Sequence, residues 1–189
     1  MTASLPQSHH DYSFEEYLTL ERDSEIKHEF DAGEILAMSG GTSRHSALAM
    51  NAGFALRGTR PDGCTVFQSD MRVRIAATGR ATYPDVSMVC GAIEYDSEDA
   101  ARTTITNPVL LVEVLSVTTE KGDRGNKWMH YQRIPSLQEY VLVSQEPRIE
   151  IFRRTPSGTW EYFEVREGNV RLATGPALDL AMLYADLPV

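Results

Sequence analysis

Asn107-Pro108-Val109-Leu110-Leu111-Val112-Glu113-Val114-Leu115-Ser116 decides how the rest of the chain is read. From Val109 to Leu115 every residue but one is aliphatic, the pattern of a strand covered on both faces. Glu113 is the exception, and an unpaired carboxylate buried at such a place is expensive. A second β-type run, Val86-Ser87-Met88-Val89, is opened by Asp85 directly after Pro84. The two acids are 28 residues apart, far enough to lie on neighbouring strands of one sheet. Lys127 lies on the next helical segment, on one helix face with Asp123 at i−4 and Tyr131 at i+4. Two acids and one cation make up the set that metal-dependent phosphodiester hydrolysis needs.

Working outward, Ser13 is an N-cap for a short helix over Phe14 to Leu18, with Glu16 at the capping-box position. Ile26–Phe30 and Glu34–Met38 read as a β-hairpin about the turn Asp31-Ala32-Gly33. A helix follows from Ser43 to Arg57, with Leu48, Ala52, Ala55 and Leu56 at helical spacing. Cys64–Gln68 and Met71–Ile75 read as strands, 76–82 as a loop, and Glu94–Thr106 as an exposed acidic excursion. Thr118 or Thr119 caps a helix running to about Ile134, which Pro135 and Ser136 end. Glu139–Ser144, Arg148–Arg154 and Thr159–Val165 complete the strands, and Leu178–Tyr184 forms a short C-terminal helix. This order predicts an α/β domain with a mixed sheet flanked by helices, not a regular βαβ repeat. Residues 1–11 are expected to be a loose polar tail before one domain over residues 12–189.

Composition narrows the class. With 42% hydrophobic and 24% charged residues the chain matches an ordinary soluble domain. No apolar run is long enough for a membrane span, and the N-terminus does not read as a signal peptide. The two cysteines, Cys64 and Cys90, form no CxxC pair and are expected to be reduced thiols in a cytoplasmic protein. A net charge of −9 argues against broad coating of nucleic acid. It leaves room for an acidic, cation-binding nuclease cleft.

Tyr83-Pro84-Asp85-Val86, then Asn107 to Ser116, then Asp123-Arg124-Gly125-Asn126-Lys127 with Tyr131 and Ile134-Pro135-Ser136-Leu137-Gln138-Glu139-Tyr140, resembles the Uma family. That bacterial family is placed in the PD-(D/E)XK nuclease superfamily. The similarity runs from the helix at Phe14, through Glu29-Phe30-Asp31-Ala32-Gly33-Glu34 and His45, to about Arg154. It implies a restriction-endonuclease-like fold and a phosphodiesterase site using Mg2+, for which Mn2+ can substitute. Asp85 and Glu113 match the two acids of the motif as catalytic and metal-binding residues. The position two after Glu113 is Leu115 where the superfamily has lysine. Lys127, on the following helix, is expected to replace it. Glu29 would be an auxiliary catalytic acid. His45 and Tyr131 are candidate substrate contacts, Tyr131 with a packing role as its alternative. The Ser39-Gly40-Gly41-Thr42 segment reads first as a loop, with phosphate cradling at a helix N-terminus as the alternative.

The function expected is endonucleolytic cleavage of nucleic acid, DNA first, by a protein that can act as a homodimer. A non-catalytic binding or scaffolding protein on the same fold is the alternative. A hydrolase built on serine, His45 and Asp85 lacks a Gly-x-Ser-x-Gly elbow.

Overall fold

The computed structural model describes residues 11–116 and 122–188. Thr118 and Thr119, and nearly all of the expected N-terminal tail, lie outside those residues. The element bearing Glu113 is β8 (Leu110–Val114), buried along its whole length. It lies inside a six-stranded mixed sheet of order β11-β10-β9-β8-β6-β3. The other strands are β3 (Cys64–Gln68), β6 (Val86–Cys90), β9 (Glu139–Val143), β10 (Ile149–Arg154) and β11 (Trp160–Val165). Among the described residues of this sheet only β8 and β9 pair parallel, and the chain between them crosses over through the segment that carries Lys127.

Alternation along β8 serves two cores. Leu110, Val112 and Val114 pack on one face with Leu48, Ala52 and Leu56 of α2 (Ser43–Thr59). Leu111 and Leu115 face the other side, with Tyr131, Ile134 and Tyr140. Glu113 shares that second face by the same alternation. The second core is closed by Val73, Ile75 and Ile105. These belong to a five-stranded sheet of order β2-β1-β5-β4-β7. Its strands are β1 (His28–Asp31), β2 (Glu34–Ala37), β4 (Arg72–Ile75), β5 (Arg80–Thr82) and β7 (Thr104–Ile105).

Local expectations hold where the signal is local. Helix α1 (Phe14–Asp23) starts with a full capping box between Ser13 and Glu16. The β1–β2 turn places Ala32 and Gly33 at φ 48° and 100°, the left-handed pair that a two-residue hairpin turn requires. Other expectations are corrected. Residues 76–82 are not all loop: Gly79 turns the chain at φ 75°, and Arg80–Thr82 becomes a buried strand between β1 and β4. The 94–106 stretch is tied down by β7 and a bridge from Tyr95 to Ile105. At the C-terminus the expected helix is reduced to α4 (Leu180–Leu183), capped by Asp179. It is preceded by an unforeseen hairpin, β12 (Asn169–Arg171) with β13 (Ala177–Asp179). The cysteines are not free: Cys64 and Cys90 stand opposite each other on β3 and β6 and form a disulfide. Two residues 26 apart in sequence meet because antiparallel pairing folds the intervening chain back. No helix among the described residues is long and apolar enough to cross a membrane.

Asp99 organises the 94–106 excursion. Its Oδ1 accepts from the Ala101 N–H, and Oδ2 from the N–H and hydroxyl of Thr103 and the hydroxyl of Thr104. Burial opposes ionisation of the carboxyl, but these donors outweigh it and lower the pKa below 3.8. A depressed folded-state pKa means stability that is present above the unfolded value and lost as pH falls through the folded one. Asp99→Asn should therefore cost about 1–3 kcal/mol at pH 7. Denaturant titrations should show the gap between wild type and variant closing below about pH 4.

Candidate active site

Asp85 is placed by register. The β6–β8 pairing sets Val86 opposite Val112, so one further step sets Asp85 opposite Glu113. There its Oδ2 accepts the Val114 N–H at 2.7 Å, continuing the ladder with a side chain. His45, on the first turn of α2, brings Nε2 to 3.3 Å from the same oxygen. The hydrogen bond to Asp85 raises the His45 pKa against the opposing effect of burial. Gly41 makes room for this ring, since a Cβ there would lie 2.8 Å from His45 Nδ1. Thr42 is the helix N-cap and accepts the His45 N–H. Just before the acid, Tyr83 donates to Glu21 at 2.8 Å and accepts from Arg72, which pins the Tyr83-Pro84-Asp85 corner.

Glu113 is reached from the crossover. Asp123–Lys127 forms one π-helical turn that continues as α3 (Trp128–Tyr131). Single π-turns inside helices are frequent at functional sites. Lys127 Nζ lies 2.9 Å from Glu113 Oε1, 3.2 Å from Asp123 Oδ1 and 3.5 Å from Glu29 Oε1. The Tyr131 hydroxyl donates to the same Glu113 oxygen at 2.7 Å. Tyr131 has no exposed surface, so the structure puts it beneath the carboxylate as a positioning group, not at the cleft as a substrate contact. Asp85 Oδ1 and Glu113 Oε2 accept no hydrogen bond among the described residues.

Glu29 arrives from the other sheet. Arg80 donates to it at 2.8 Å and to Asp31 at 2.8 Å, and Thr82 donates its hydroxyl to Glu29. Burial works to raise the Glu29 pKa, but Lys127, Thr82 and Arg80 together hold it below the ordinary carboxylate value. Lys127 is shifted the other way. Burial opposes its charge, yet Glu113, Glu29 and Asp123 keep the ammonium protonated well above its usual range. Burial pushes Glu113 up to about 8; Lys127 pulls against it, while Asp123 and Asp85 add to the rise.

The structure thus brings together Asp85, Glu113, Lys127, Glu29, His45 and Tyr131, all six sequence candidates. Sequence reading missed Asp123 as a member of the site, and also Arg80 and Thr82. The signal for Asp123 was its i−4 spacing from Lys127. Arg80 and Thr82 lay in a stretch read as loop.

The set is short of cations. Glu29, Asp31, Asp85, Glu113 and Asp123 are balanced by Lys127 and Arg80, with His45 at the edge. Among the described residues no three His, Cys, Asp or Glu side chains converge as a ready-made metal cluster. Magnesium does not need one: one or two carboxylates, waters and substrate phosphate complete its octahedron. Asp85 and Glu113 fit that requirement, each with an oxygen to offer.

Residues 14–185 match the family described as "Uma2: Putative restriction endonuclease". The chain belongs to the Uma2 family. Two Synechocystis relatives are similar along most of their length. The uncharacterized protein slr1290 is 38% identical over 149 residues, 77% of this chain and 76% of its own. The uncharacterized protein sll1609 is 34% identical over 161 residues, 83% and 89% respectively. The crystal structure of "a putative nuclease belonging to DUF820" from Anabaena variabilis superposes with a TM-score of 0.70 at 18% identity. It covers 90% of this chain and 96% of its own, and shows that the fold is shared.

Lys127 is the counter-charge for three carboxylates, so Lys127→Met should cost about 3–5 kcal/mol in denaturant unfolding, as for breaking a buried pair. Adding Glu113→Gln to that variant should recover part of the loss, because the two sites are coupled. Additive effects of the two substitutions would mean that the contact carries no weight.

Proposed function

We propose that this Uma2 protein is a metal-dependent endonuclease that hydrolyses phosphodiester bonds, with DNA as its substrate. The observation that carries this reading is the excess of carboxylate over ammonium at a buried centre, in a chain of a family whose description is "Putative restriction endonuclease". Asp85 and Glu113 would hold magnesium, and manganese can substitute because it accepts the same oxygen ligands. Magnesium, when bound, supplies Lewis-acid polarisation of the phosphoryl oxygen and acidifies a water. The chain's own groups do the rest. Lys127, kept charged by its three carboxylates, hydrogen-bonds to the phosphoryl oxygens and offsets the negative charge that builds there. Tyr131 fixes the rotamer of Glu113. His45 and the Val114 N–H fix Asp85, and the imidazole edge can also reach substrate phosphate. Glu29 aims the ammonium.

A second reading, a non-catalytic binding protein on the same fold, draws on the 2.9 Å contact between Lys127 and Glu113. Such a pair can satisfy both groups without a cation. The serine-hydrolase reading gains nothing: His45 meets Asp85, but no described serine hydroxyl bonds to the ring.

The test is cleavage of duplex DNA, single-stranded DNA, branched DNA and RNA with Mg2+ or Mn2+. Asp85→Asn and Glu113→Gln should reduce cleavage to background. Lys127→Met should lose about 10²–10³-fold, as when one charge-stabilising donor is removed. His45→Ala should lose about 10–100-fold, as for a group that orients a ligand. Unchanged cleavage in the Asp85→Asn, Glu113→Gln double variant rules the reading out. No cleavage, together with no magnesium binding in calorimetry, selects the binding-protein reading.

Cutting both strands of a duplex calls for two sites, and we extend the proposal to a homodimer. Met50 and Phe54 of α2 and Met182 of α4 are exposed large apolar side chains, a face suited to a second copy. Phe54→Asp should shift the wild-type sedimentation coefficient from dimer to monomer. A wild-type chain that sediments as a monomer at tens of micromolar overturns the extension.

A further inference from the structure

Beyond Glu113 the six-stranded sheet continues through β9, β10 and β11, and one side of it turns aromatic. Glu113 stands opposite Leu142, Leu142 opposite Glu150, and Glu150 opposite Glu164, one row across the sheet. The row beside it runs Leu111, Tyr140, Phe152, Tyr162. By strand alternation both rows lie on the side of the second core, where Leu111, Tyr140 and Leu142 are buried. Trp128, Phe152 and Trp160 close the rim of that core: Trp128 stacks on Phe152 at 4.3 Å and meets Trp160 edge-on at 4.9 Å. Tyr162 lies outside them. Its ring leans on Phe152 at 5.2 Å and its hydroxyl donates to Glu150 Oε2 at 3.2 Å, yet the residue is 54% exposed. A ring whose position is fixed and whose surface is open offers stacking at little cost in ordering.

The charges on this side of β10 and β11 oppose the sign of the whole chain, which carries −9. Glu150 pairs with Arg124 and, at 3.6 Å, with Arg148. Glu164 is shared by Arg166 at 2.6 Å and Arg148 at 4.0 Å. Arg154 lies 4.7 Å over the Trp160 ring and gives its N–H groups to the carbonyls of Gln132, Ile134 and Pro135. Those are neutral partners, so the Arg154 charge is not cancelled by them. Along β11 the order is Trp160 with Arg154, then Tyr162, then Glu164 with Arg166, which sets a cation to either side of the open ring. Glu150 is two strand spacings from Glu113, about 10 Å. The π-turn bridges that gap, with Asp123 and Lys127 at the carboxylate centre, Arg124 on Glu150, and Trp128 just after it on Phe152.

Resting on the nuclease reading for the choice of nucleic acid, we propose that this side of β10 and β11 binds single-stranded DNA, with a base stacked on Tyr162 and phosphates against Arg154 and Arg166. An open aromatic ring set between cations is the combination that single strands require. A duplex keeps its base faces stacked on one another and has none to offer such a ring. The substrate then carries an unpaired stretch beside the bond that is cut.

Both tryptophans of the chain, Trp128 and Trp160, lie in this cluster, so intrinsic fluorescence reports on it without a label. The full chain is titrated in EDTA, which prevents cleavage, with a short oligothymidylate, with an abasic strand of the same length, and with the oligothymidylate paired to its complement. Affinity is read by anisotropy of the end-labelled strands. We expect the oligothymidylate to change the tryptophan emission, and the abasic strand and the duplex to bind at least about 5-fold more weakly, the weight of one stacked base. Tyr162→Ala should weaken oligothymidylate binding about 5–100-fold with an unchanged circular dichroism spectrum, and Tyr162→Phe, which keeps the ring, should stay within about 2-fold of wild type. Arg166→Ala should flatten the slope of log affinity against log salt by about 0.7, the share of one phosphate on a single strand. No binding of the oligothymidylate, binding without a change in emission, equal binding of the abasic strand or the duplex, or unchanged affinity in Tyr162→Ala each overturn the proposal. Cleavage is read separately. Base-dependent binding without cleavage in Mg2+ counts against the nuclease reading alone, and cleavage without that binding counts against this surface alone.

Discussion

Burial of Glu113 in the middle of β8 is the constraint from which the site's construction follows. A carboxylate there costs several kcal/mol unless it is partnered. Lys127 and Tyr131 answer that need through a single oxygen. Lys127 is itself largely buried, and one acid does not satisfy three ammonium donors, so Asp123 and Glu29 close around it. Glu29 in turn needs Arg80 and Thr82, and Arg80 needs Asp31. Each buried charge recruits the next until the chain of pairs has crossed from the six-stranded sheet to the five-stranded one. The small strand β5 supplies both Arg80 and Thr82 to that chain.

This explains which parts of the molecule could be read from sequence. The β8 run, the β1–β2 hairpin and the buried stripe of α2 are set by residues within a few positions of one another. Their periodicity is visible without any partner. Glu113 stands out because it breaks an apolar run, and Asp85 because it follows Pro84 at the head of another. Arg80–Thr82 has no such signature. Its three residues are buried because of what lies across from them, Phe30 on one side and Arg74 on the other. The Cys64–Cys90 bond is hidden for the same reason, since only the β3–β6 register makes those residues neighbours. The π-turn is likewise invisible to a reading based on ordinary helical spacing, although the i−4 relation of Asp123 to Lys127 survives it.

Sequence also gave no means of ranking buried acids. Glu139 opens β9 with no exposed surface, and Glu150 lies in β10 almost as deeply. Arg153 donates to one oxygen of Glu139 at 2.7 Å, and the Thr174 N–H and hydroxyl fill the other. Glu150 takes Arg124 and the Tyr162 hydroxyl on Oε2. Glu139 is thus filled at both oxygens by rigid or long-range partners that tie strands together. Glu113 has one oxygen held by a lysine and a tyrosine and the other without a hydrogen bond among the described residues, and Glu150 Oε1 is likewise without one. Asp85, fixed by a backbone N–H, stands directly across from Glu113. Neither burial nor an unfilled oxygen sets Glu113 apart from Glu150; Lys127, shared with Glu29 and Asp123, and Asp85 across the strand pair do.

The same logic bears on why the central cation is a lysine. Arginine's planar fork suits two oxygens side by side, as where Arg80 spans Asp31 and Glu29, two residues apart on one strand. Around Lys127 the three carboxylates come from β8, the π-turn and β1, three elements with no common plane. A compact ammonium with three rotatable donors can serve all of them, and can turn one donor outward without abandoning the other two. A guanidinium at that place would commit itself to one carboxylate pair and leave the third buried and unmatched. Lys127→Arg, though it conserves charge, therefore removes the property on which the packing of the centre depends.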